Sequence, residues 1–301
     1  MNFKFVPVDH DRMELVADYL RRPALIEKFY SEPDISWSGS PGSIAQSERA
    51  YCGPGGTGTD WTRAVATAYS AARLLVIGMA EQMLAVARII TDPELGAHGL
   101  LGTEVCCRSS VEFAARAWWL MEPAVPARNR VCRYFVDQIY SAAEAEKLET
   151  AMSWTASRTG SPTVNDLLLR CQRLGLIVTS TRGVYSVEGA RRRSSTGLVT
   201  DLVGETRYRN DREMVYRLMS ATTHGTLYAL MRSYRITDET VDGEPVLLRD
   251  ADHRLIEASA GVALACSSCV LDRAVTLNGW SRYREESFKN MIYAMLADGP
   301  R

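Results

Sequence analysis

The sequence predicts an all-α fold, a multi-helix bundle with a long central helix and a small β-hairpin insertion. Apolar residues recur at helical spacing through several long segments, which is the main sign of packed helices. Proline and glycine interrupt these segments at intervals, where turns are expected. A single stretch, 176–187, alternates as a β-hairpin does and carries Arg182 and Gly183 at its centre.

The N-terminal part, residues 1–60, is predicted to hold one helix and a Gly/Ser-rich loop. Apolar residues at helical spacing favour a helix over 11–30, and the stretch 31–60 is rich in Ser, Gly and Pro. We interpret 31–60 as a long loop or a flexible lid. Asp60 is a suitable N-cap for the helix that follows it.

Residues 61–300 are predicted to form the helical bundle domain. Its longest helix covers 61–92, and its low charge suggests a central element buried on several sides. Further helices are predicted near 100–121, 127–157, 211–235, 251–279 and 284–297. A polar excursion is expected at 236–250.

The segment 160–205 is predicted to be an insertion in this bundle. It begins with Ser161 as a helix cap and Pro162 in the first turn, and the short helix ends at Gly175. The hairpin follows, and then a basic loop and a short helix around 196–204.

The composition is that of a soluble protein whose overall net charge is close to zero. Hydrophobic residues make up 46% and charged residues 24% of the 301 residues, and the formal net charge is −1. A protein that binds nucleic acid or an anionic membrane through its overall charge is therefore excluded, although a local basic patch is not.

The cysteines and the amino terminus predict a cytoplasmic protein. The seven cysteines are odd in number and lie mostly in helical patterns, as reduced, buried thiols do. The amino terminus has no apolar core of signal-peptide length, and no uncharged apolar stretch approaches the length of a membrane span.

No metal and no cofactor is predicted. None of the four histidines forms a pair at helical ligand spacing, and the half-site Cys266–Cys269 has no second half. The glycines at 53–58 lack the Gly-Lys-Ser/Thr ending of a phosphate loop.

The strongest candidate site is a polar stripe on one predicted helix. Arg217, Ser220 and His224 are separated by three, four and seven residues, so they share a helix face. Polar groups on a half-buried face are costly unless they are paired or used. We therefore take these three residues as catalytic candidates. The alternative is a core histidine with a neighbouring carboxylate or carbonyl partner, and a serine bonded to the carbonyl four residues before it.

A second candidate lies on the helix near 100–121. Glu104, Arg108 and Glu112 follow at intervals of four residues, so Arg108 could pair with either carboxylate. Such a pair either fixes the packing of the helix or forms one wall of a polar site.

The run from Arg108 to Leu120, the arginines that begin the next helix and the run from Tyr216 to Gly225 together carry a resemblance. Over roughly 60–280 the chain resembles the bacterial helical proteins of the DUF5677 and abortive-infection type, which are distantly similar to the HEPN superfamily of α-helical bundles. HEPN nucleases carry an Arg followed, after four to six residues, by a His, and Arg217 and His224 fit the upper limit of that spacing.

The resemblance implies metal-independent cleavage of RNA in a defence or toxin setting. His224 would act on the attacking 2′-hydroxyl or on the leaving oxygen, and Arg217 would stabilise the pentavalent phosphate. Active members usually place a small polar residue directly after the Arg, where this chain has Leu218. An inactive relative of these nucleases is therefore an alternative to an active ribonuclease.

Two other classes of function stay open. The first is a small-molecule enzyme or binder whose pocket lies inside the bundle, with the 31–60 loop as its lid. Its walls would be Arg108, Glu112, Tyr134, Ser220 and His224, backed by Trp118 and Trp119. The second is a non-catalytic interaction protein in which every one of these groups is structural.

The basic loop Arg191, Arg192 and Arg193 is the best candidate for binding an anion, and the alternative is a solvated basic face. RNA or a small molecule is the predicted partner, a membrane is not, and a homodimer is compatible with the sequence.

Overall fold

The computed structural model describes residues 3–5, 10–30, 39–51, 58–92, 100–151, 162–181, 183–210, 212–223, 234–241, 244–249, 253–280 and 290. This part of the chain is mostly helical, as predicted. Its helices are α1 (His10–Tyr30), α2 (Ile44–Arg49), α3 (Gly58–Thr91), α4 (Leu100–Leu120), α5 (Ala127–Ala151), α6 (Val164–Arg173), α7 (Ser195–Gly204), α8 (Arg212–Thr223) and α9 (His253–Asn278). Its strands are β1 (Phe3–Phe5), β2 (Val178–Thr181), β3 (Val184–Val187), β4 (Ala190–Arg191), β5 (Tyr234–Val241) and β6 (Glu244–Arg249).

The bundle is organised around α3 and α4. Helix α4 packs against α3, α5, α7, α8 and α9, and α3 also contacts α1 and α2. The long helix predicted over 61–92 is thus present, but one face of it is open, with Leu74 among its exposed residues. Helix α4 is shorter and more enclosed, because small buried residues such as Ala114 and Ala117 let its neighbours approach closely.

One glycine and one hydroxyl lie at the contact between α3 and α4. Gly78 faces the Phe113 ring, and a Cβ at Gly78 would stand 3.4 Å from that ring, at ordinary van der Waals distance. Nearby, the buried Ser110 hydroxyl donates to the carbonyl of Met79 at 3.2 Å. A buried hydroxyl is costly without such a partner, so this bond also fixes how the two helices align.

The predicted hairpin is confirmed. Strands β2 and β3 are antiparallel with Val178 opposite Val187, and Gly183 lies in the turn with a φ of 78°. The short strand β4, which the sequence analysis did not predict, adds a third strand. The sheet packs on α5, where Tyr185 meets Tyr140 edge to face.

A second sheet is formed where the sequence predicts a polar segment between two helices, at 236–250. Strands β5 and β6 form an antiparallel hairpin, and β1 pairs with β6 in parallel. The predicted helix 211–235 is correspondingly wrong at its end, because residues 234 and 235 belong to β5. These strands were missed because β5 is polar and β1 is only three residues long, with its partner at the other end of the chain.

The prediction of a loop or lid over 31–60 is wrong for residues 39–51. These residues contain α2, which packs on α3 and α9 with Ala45 fully buried. The Ser40 amide donates to the Asn278 carbonyl at 2.8 Å, which fixes the segment to the end of α9. Residues 31–38 and 52–57 lie outside the described residues, as does the predicted helix 284–297 except for residue 290.

Two described helical segments, Thr59–Thr91 and Arg254–Asn278, are long and apolar enough to cross a membrane by length and composition. The core helix of a soluble protein passes the same test, and the apolar part of the second segment is largely buried inside the fold. The absence of a membrane partner stays a prediction.

Candidate functional site

Helix α8 carries Arg217 and Ser220, two of the three residues of the predicted stripe. Tyr216 and Met219 are buried and face the bundle, so their neighbour Arg217 points outward, with 75% of its side chain exposed. Ser220 is half-buried, and His224 lies outside the described residues. The structure therefore places Arg217 in solvent rather than in the core.

The Arg217 guanidinium has one ionic partner in the described part of the chain. It donates to Oε1 of Glu213, one turn earlier, at 2.6 Å, and both side chains are largely exposed. An exposed pair at this spacing contributes only about 0.3–0.5 kcal/mol, so it does not hold Arg217 in place. The Ser220 hydroxyl bonds to none of the described residues, so it is not bonded back to the carbonyl of Tyr216.

A polar network joins α4 to α8 beside this stripe. Nε of Arg108 donates to Oε1 of Glu112 at 2.8 Å, and the Tyr216 hydroxyl donates to the same oxygen at 3.1 Å. Nη2 of Arg108 donates to the Tyr216 hydroxyl at 3.4 Å. Of the two carboxylates in the predicted ladder, Glu112 is thus the one that Arg108 pairs with here.

One atom of this network has no hydrogen-bond partner among the described residues. This atom is Nη1 of Arg108, which is buried in a side chain that is 14% exposed. Burial lowers the pKa of Arg108, but the hydrogen bond and the charge of Glu112 more than offset it, and the net shift is upward. The guanidinium therefore stays charged and has an N–H that an acceptor would satisfy.

Tyr134 does not join this network. It is buried on α5, with its ring centroid 5.2 Å from that of Phe135. Burial raises the pKa of Tyr134, and the nearby charge of Arg170 on α6 offsets only part of this increase. Tyr134 thus belongs to the contact between α5 and α6, and the predicted pocket wall that combined it with Arg108 and Glu112 is not formed by these contacts.

The basic loop is divided among three environments. Arg191 is exposed on β4, whereas Arg192 stacks over the Tyr140 ring with its Cζ atom 5.0 Å from the centroid. Arg193 forms an ion pair with Asp201 on α7. The three arginines are therefore not one continuous patch.

A group of arginines at the C-terminal end of α4 could not be predicted from the sequence. Arg273 donates to the Trp118 carbonyl at 2.7 Å, and Arg133 donates to the Trp119 carbonyl at 2.6 Å. Arg130 donates to the next carbonyl, that of Leu120. The last carbonyls of a helix need such donors. The arginines at the start of α5 were visible in the sequence, but nothing local linked Arg273 to them.

Among the residues that the structure describes, no three His, Cys, Asp or Glu side chains could hold a metal ion together. The network between α4 and α8 supplies a guanidinium, a carboxylate and a phenol. In comparisons with family models, curated proteins and solved structures, nothing matches this chain.

Proposed function

We propose that this chain is a HEPN-like α-helical protein of the cytoplasm that acts on RNA, as a metal-independent ribonuclease or as an inactive relative in a defence or toxin setting. The observation that carries the proposal is the position of Arg217. Its guanidinium is largely exposed on α8, and among the described residues its ionic partner is Glu213, which is exposed as well. A phosphodiester could reach it without unfolding any packed contact.

The chemistry follows from the residue types along the stripe. A guanidinium offers several N–H donors in one plane, which suits the oxygens of a phosphate in a transition state. An imidazole titrates near neutral pH, so His224 could accept a proton from a 2′-hydroxyl or donate one to the leaving oxygen. Ser220 lies between them along the stripe, and its hydroxyl bonds to none of the described residues.

The test is RNA cleavage by the purified protein in EDTA. Wild type is compared with Arg217→Ala and His224→Ala, and circular dichroism verifies that each variant is folded. Glu213→Ala is the matched control, because it removes the ionic partner of Arg217 and leaves the arginine in place. We expect cleavage by wild type and by Glu213→Ala, and loss of cleavage in the other two variants.

The inactive relative predicts a different result in the same samples. Single-stranded RNA would bind to wild type without being cut, and Arg217→Ala would bind it more weakly. If wild type neither cuts nor binds RNA at high protein concentration, the proposal is wrong in both forms.

A second candidate is a small-molecule enzyme or binder that uses Arg108 and Glu112 of the α4–α8 network together with Ser220 and His224. The buried Nη1 of Arg108, which has no hydrogen-bond partner in the described part of the chain, favours it, since a carboxylate or phosphate oxygen would satisfy that N–H. A thermal-shift screen of small carboxylates and phosphates tests it. A ligand that stabilises wild type but not Arg108→Gln supports this candidate, and a screen without any such ligand counts against it.

For that screen, Tyr216→Phe provides a milder variant. It removes the hydroxyl that bonds to Arg108 and Glu112 and keeps the ion pair between them. If neither RNA nor a small molecule binds, the third class, a non-catalytic interaction protein, is what stands.

A further inference from the structure

We propose that the outer surface of α6 and of the sheet β2–β3–β4 binds double-stranded DNA, with α6 in the major groove. This surface belongs to the predicted insertion at 160–205 and shares no residue with the stripe on α8. The inference does not rest on the proposed function, and the two fail separately.

Helix α6 and the sheet form one layer over α5. Helix α5 contacts α6, β3 and β4, and β2 contacts α6. Gly175 follows α6 with a φ of 66°, and the Leu176 amide donates back to the Cys171 carbonyl at 2.9 Å, so the chain passes directly from the helix to the first strand. Because both parts of the layer bury one side against α5, their other sides are both turned away from it.

The outer face of α6 presents side chains that suit base edges. The buried residues of α6 share one side of the helix. Asn165, Leu169 and Arg173 follow at intervals of four residues on the opposite side, and all three are exposed, Leu169 by 53%. In a major groove an amide pairs with adenine, a guanidinium pairs with guanine, and an apolar side chain packs on the methyl group of thymine.

The strand register defines the outer face of the sheet. Thr179 lies opposite Ser186, and their hydroxyl oxygens are 3.1 Å apart, so the two side chains are on the same face. Arg191 on β4 lies opposite Ser186 and shares that face, as does Thr181, two residues after Thr179. Thr179, Thr181 and Arg191 are exposed. Hydroxyl and guanidinium groups are common donors to the phosphates of DNA.

The charge of the insertion favours a polyanion. Between residues 162 and 193 the sequence has six arginines and two acidic residues, although the whole chain has a net charge of −1. Both acidic side chains have partners within the protein. The Asp166 carboxylate accepts from the Thr163 amide at 3.0 Å, and Glu188 pairs with Arg128 at 3.2 Å. The arginines thus outnumber the carboxylates on this part of the surface.

Three of these arginines are available to a ligand. Arg192 stacks on the Tyr140 ring and Arg193 pairs with an aspartate of α7, as described above. Arg170, Arg173 and Arg191 are exposed, and none of the three forms an ion pair with a described residue. Their charges would therefore neutralise phosphates without breaking an existing pair, and the counterions released from the DNA would favour binding.

The surface suits a DNA duplex better than a single strand or an RNA duplex. Single strands are bound largely by stacking their bases on aromatic rings. Tyr185, the aromatic residue among the described strands of this sheet, lies on the inner side, where it meets Tyr140 of α5. The major groove of B-form DNA, about 12 Å wide, admits an α-helix, whereas the deep and narrow major groove of RNA does not.

Fluorescence anisotropy with a labelled DNA duplex of mixed sequence tests the proposal over a series of salt concentrations. We expect wild type to bind, and the logarithm of the binding constant to fall linearly with the logarithm of the salt concentration. Arg173→Gln and Arg191→Gln should each weaken binding by about fivefold and reduce that slope by about 0.9, the value for one lost phosphate contact. Circular dichroism verifies that each variant is folded.

Two control variants should bind the duplex as wild type does. Arg88→Gln removes one exposed charge in the last turn of α3. Val184→Thr changes an apolar residue, 52% exposed, that lies opposite Thr181 on the outer face of the sheet. An equal loss of affinity in Arg88→Gln would show a diffuse charge effect, and an equal loss in Val184→Thr would show an apolar contact. Either loss overturns the proposal, as does the absence of binding to wild type at low salt.

Titrations with single-stranded RNA and with an RNA duplex of the same sequence separate this proposal from the proposed function. Weaker binding of both RNAs than of the DNA duplex supports the assignment. Tighter binding of either RNA through Arg173 and Arg191 overturns it. If binding of the DNA duplex is lost in Arg217→Ala and kept in Arg173→Gln and Arg191→Gln, DNA binds at α8 and the assignment to the insertion is wrong.

Discussion

Replacing Arg130 with alanine is expected to lower the free energy of unfolding by about 3–5 kcal/mol, the range for breaking a buried ion pair by removing one partner. Arg130 lies on α5 with 2% of its side chain exposed, and its partner Glu48 on α2 is 9% exposed. The two meet through Nε to Oε2 at 2.8 Å and Nη2 to Oε1 at 3.0 Å.

The magnitude follows from what the truncation leaves behind. Arg130 also donates to the carbonyls of Leu120, Glu122 and Val125, so alanine would remove the cap of the α4–α5 turn. Glu48 would keep the hydrogen bond from the Tyr69 hydroxyl, at 2.8 Å, but its buried carboxylate would lose both hydrogen bonds from the Arg130 guanidinium. An unpaired buried charge is the larger of these two penalties.

Equilibrium unfolding in urea, followed by circular dichroism, measures the effect. Arg191→Ala is the control, because Arg191 is exposed, and loss of an exposed side chain should change stability by no more than about 0.5 kcal/mol. A double-mutant cycle with Glu48→Gln should give a coupling energy of about 0.5–3 kcal/mol. A loss below about 1 kcal/mol for Arg130→Ala would refute the reasoning, because it would mean that the pair is solvated or easily replaced.

Three further predictions concern a turn, a cap and the buried thiols. Gly279→Ala should destabilise the fold by about 1–2 kcal/mol, because Gly279 has a φ of 66° and a Cβ would stand 2.9 Å from that of Ser43. Gly189 has a φ of 80° but open space around it. Gly189→Ala should therefore lower the free energy of unfolding by less in the same urea titration. Thr163→Ala should lower the free energy of unfolding by about 1 kcal/mol, because it removes the cap of α6. The Thr163 hydroxyl accepts from the Asp166 amide at 3.2 Å, and the Asp166 carboxylate accepts from the Thr163 amide at 3.0 Å. Thr163→Ser keeps the hydroxyl and should be as stable as wild type. Burial raises the pKa of Cys132 to about 11 and that of Cys171 to about 12. Their stabilising contribution is therefore complete below the unfolded thiol pKa of about 8.5 and is lost as the pH rises toward 12. Unfolding free energies between pH 8 and pH 11 should fall less steeply in Cys171→Ala than in wild type, and equal slopes would contradict this.

The sequence determined what depends on local periodicity. The apolar spacing over 61–92 and 100–121 is a property of each helix alone, and α3 and α4 follow it within a few residues. The hairpin around Gly183 could also be predicted from the sequence, because a turn with a φ of 78° suits glycine and the flanking residues alternate between apolar and polar. Helical spacing also placed Arg108 within reach of Glu104 and Glu112, since four residues on a helix bring two side chains together, but it left open which of them forms the ion pair.

Tertiary structure alone decided which distant groups meet. Glu48 and Arg130 are 82 residues apart, and Arg273 reaches a carbonyl 155 residues before it, so neither contact leaves a local pattern. The parallel pairing of β1 with β6 is of the same kind. Periodicity also tells which residues of α8 share a face, but not where that face points. The packing of Tyr216 and Met219 against the bundle is what turns Arg217 toward solvent, and that orientation depends on every helix around α8.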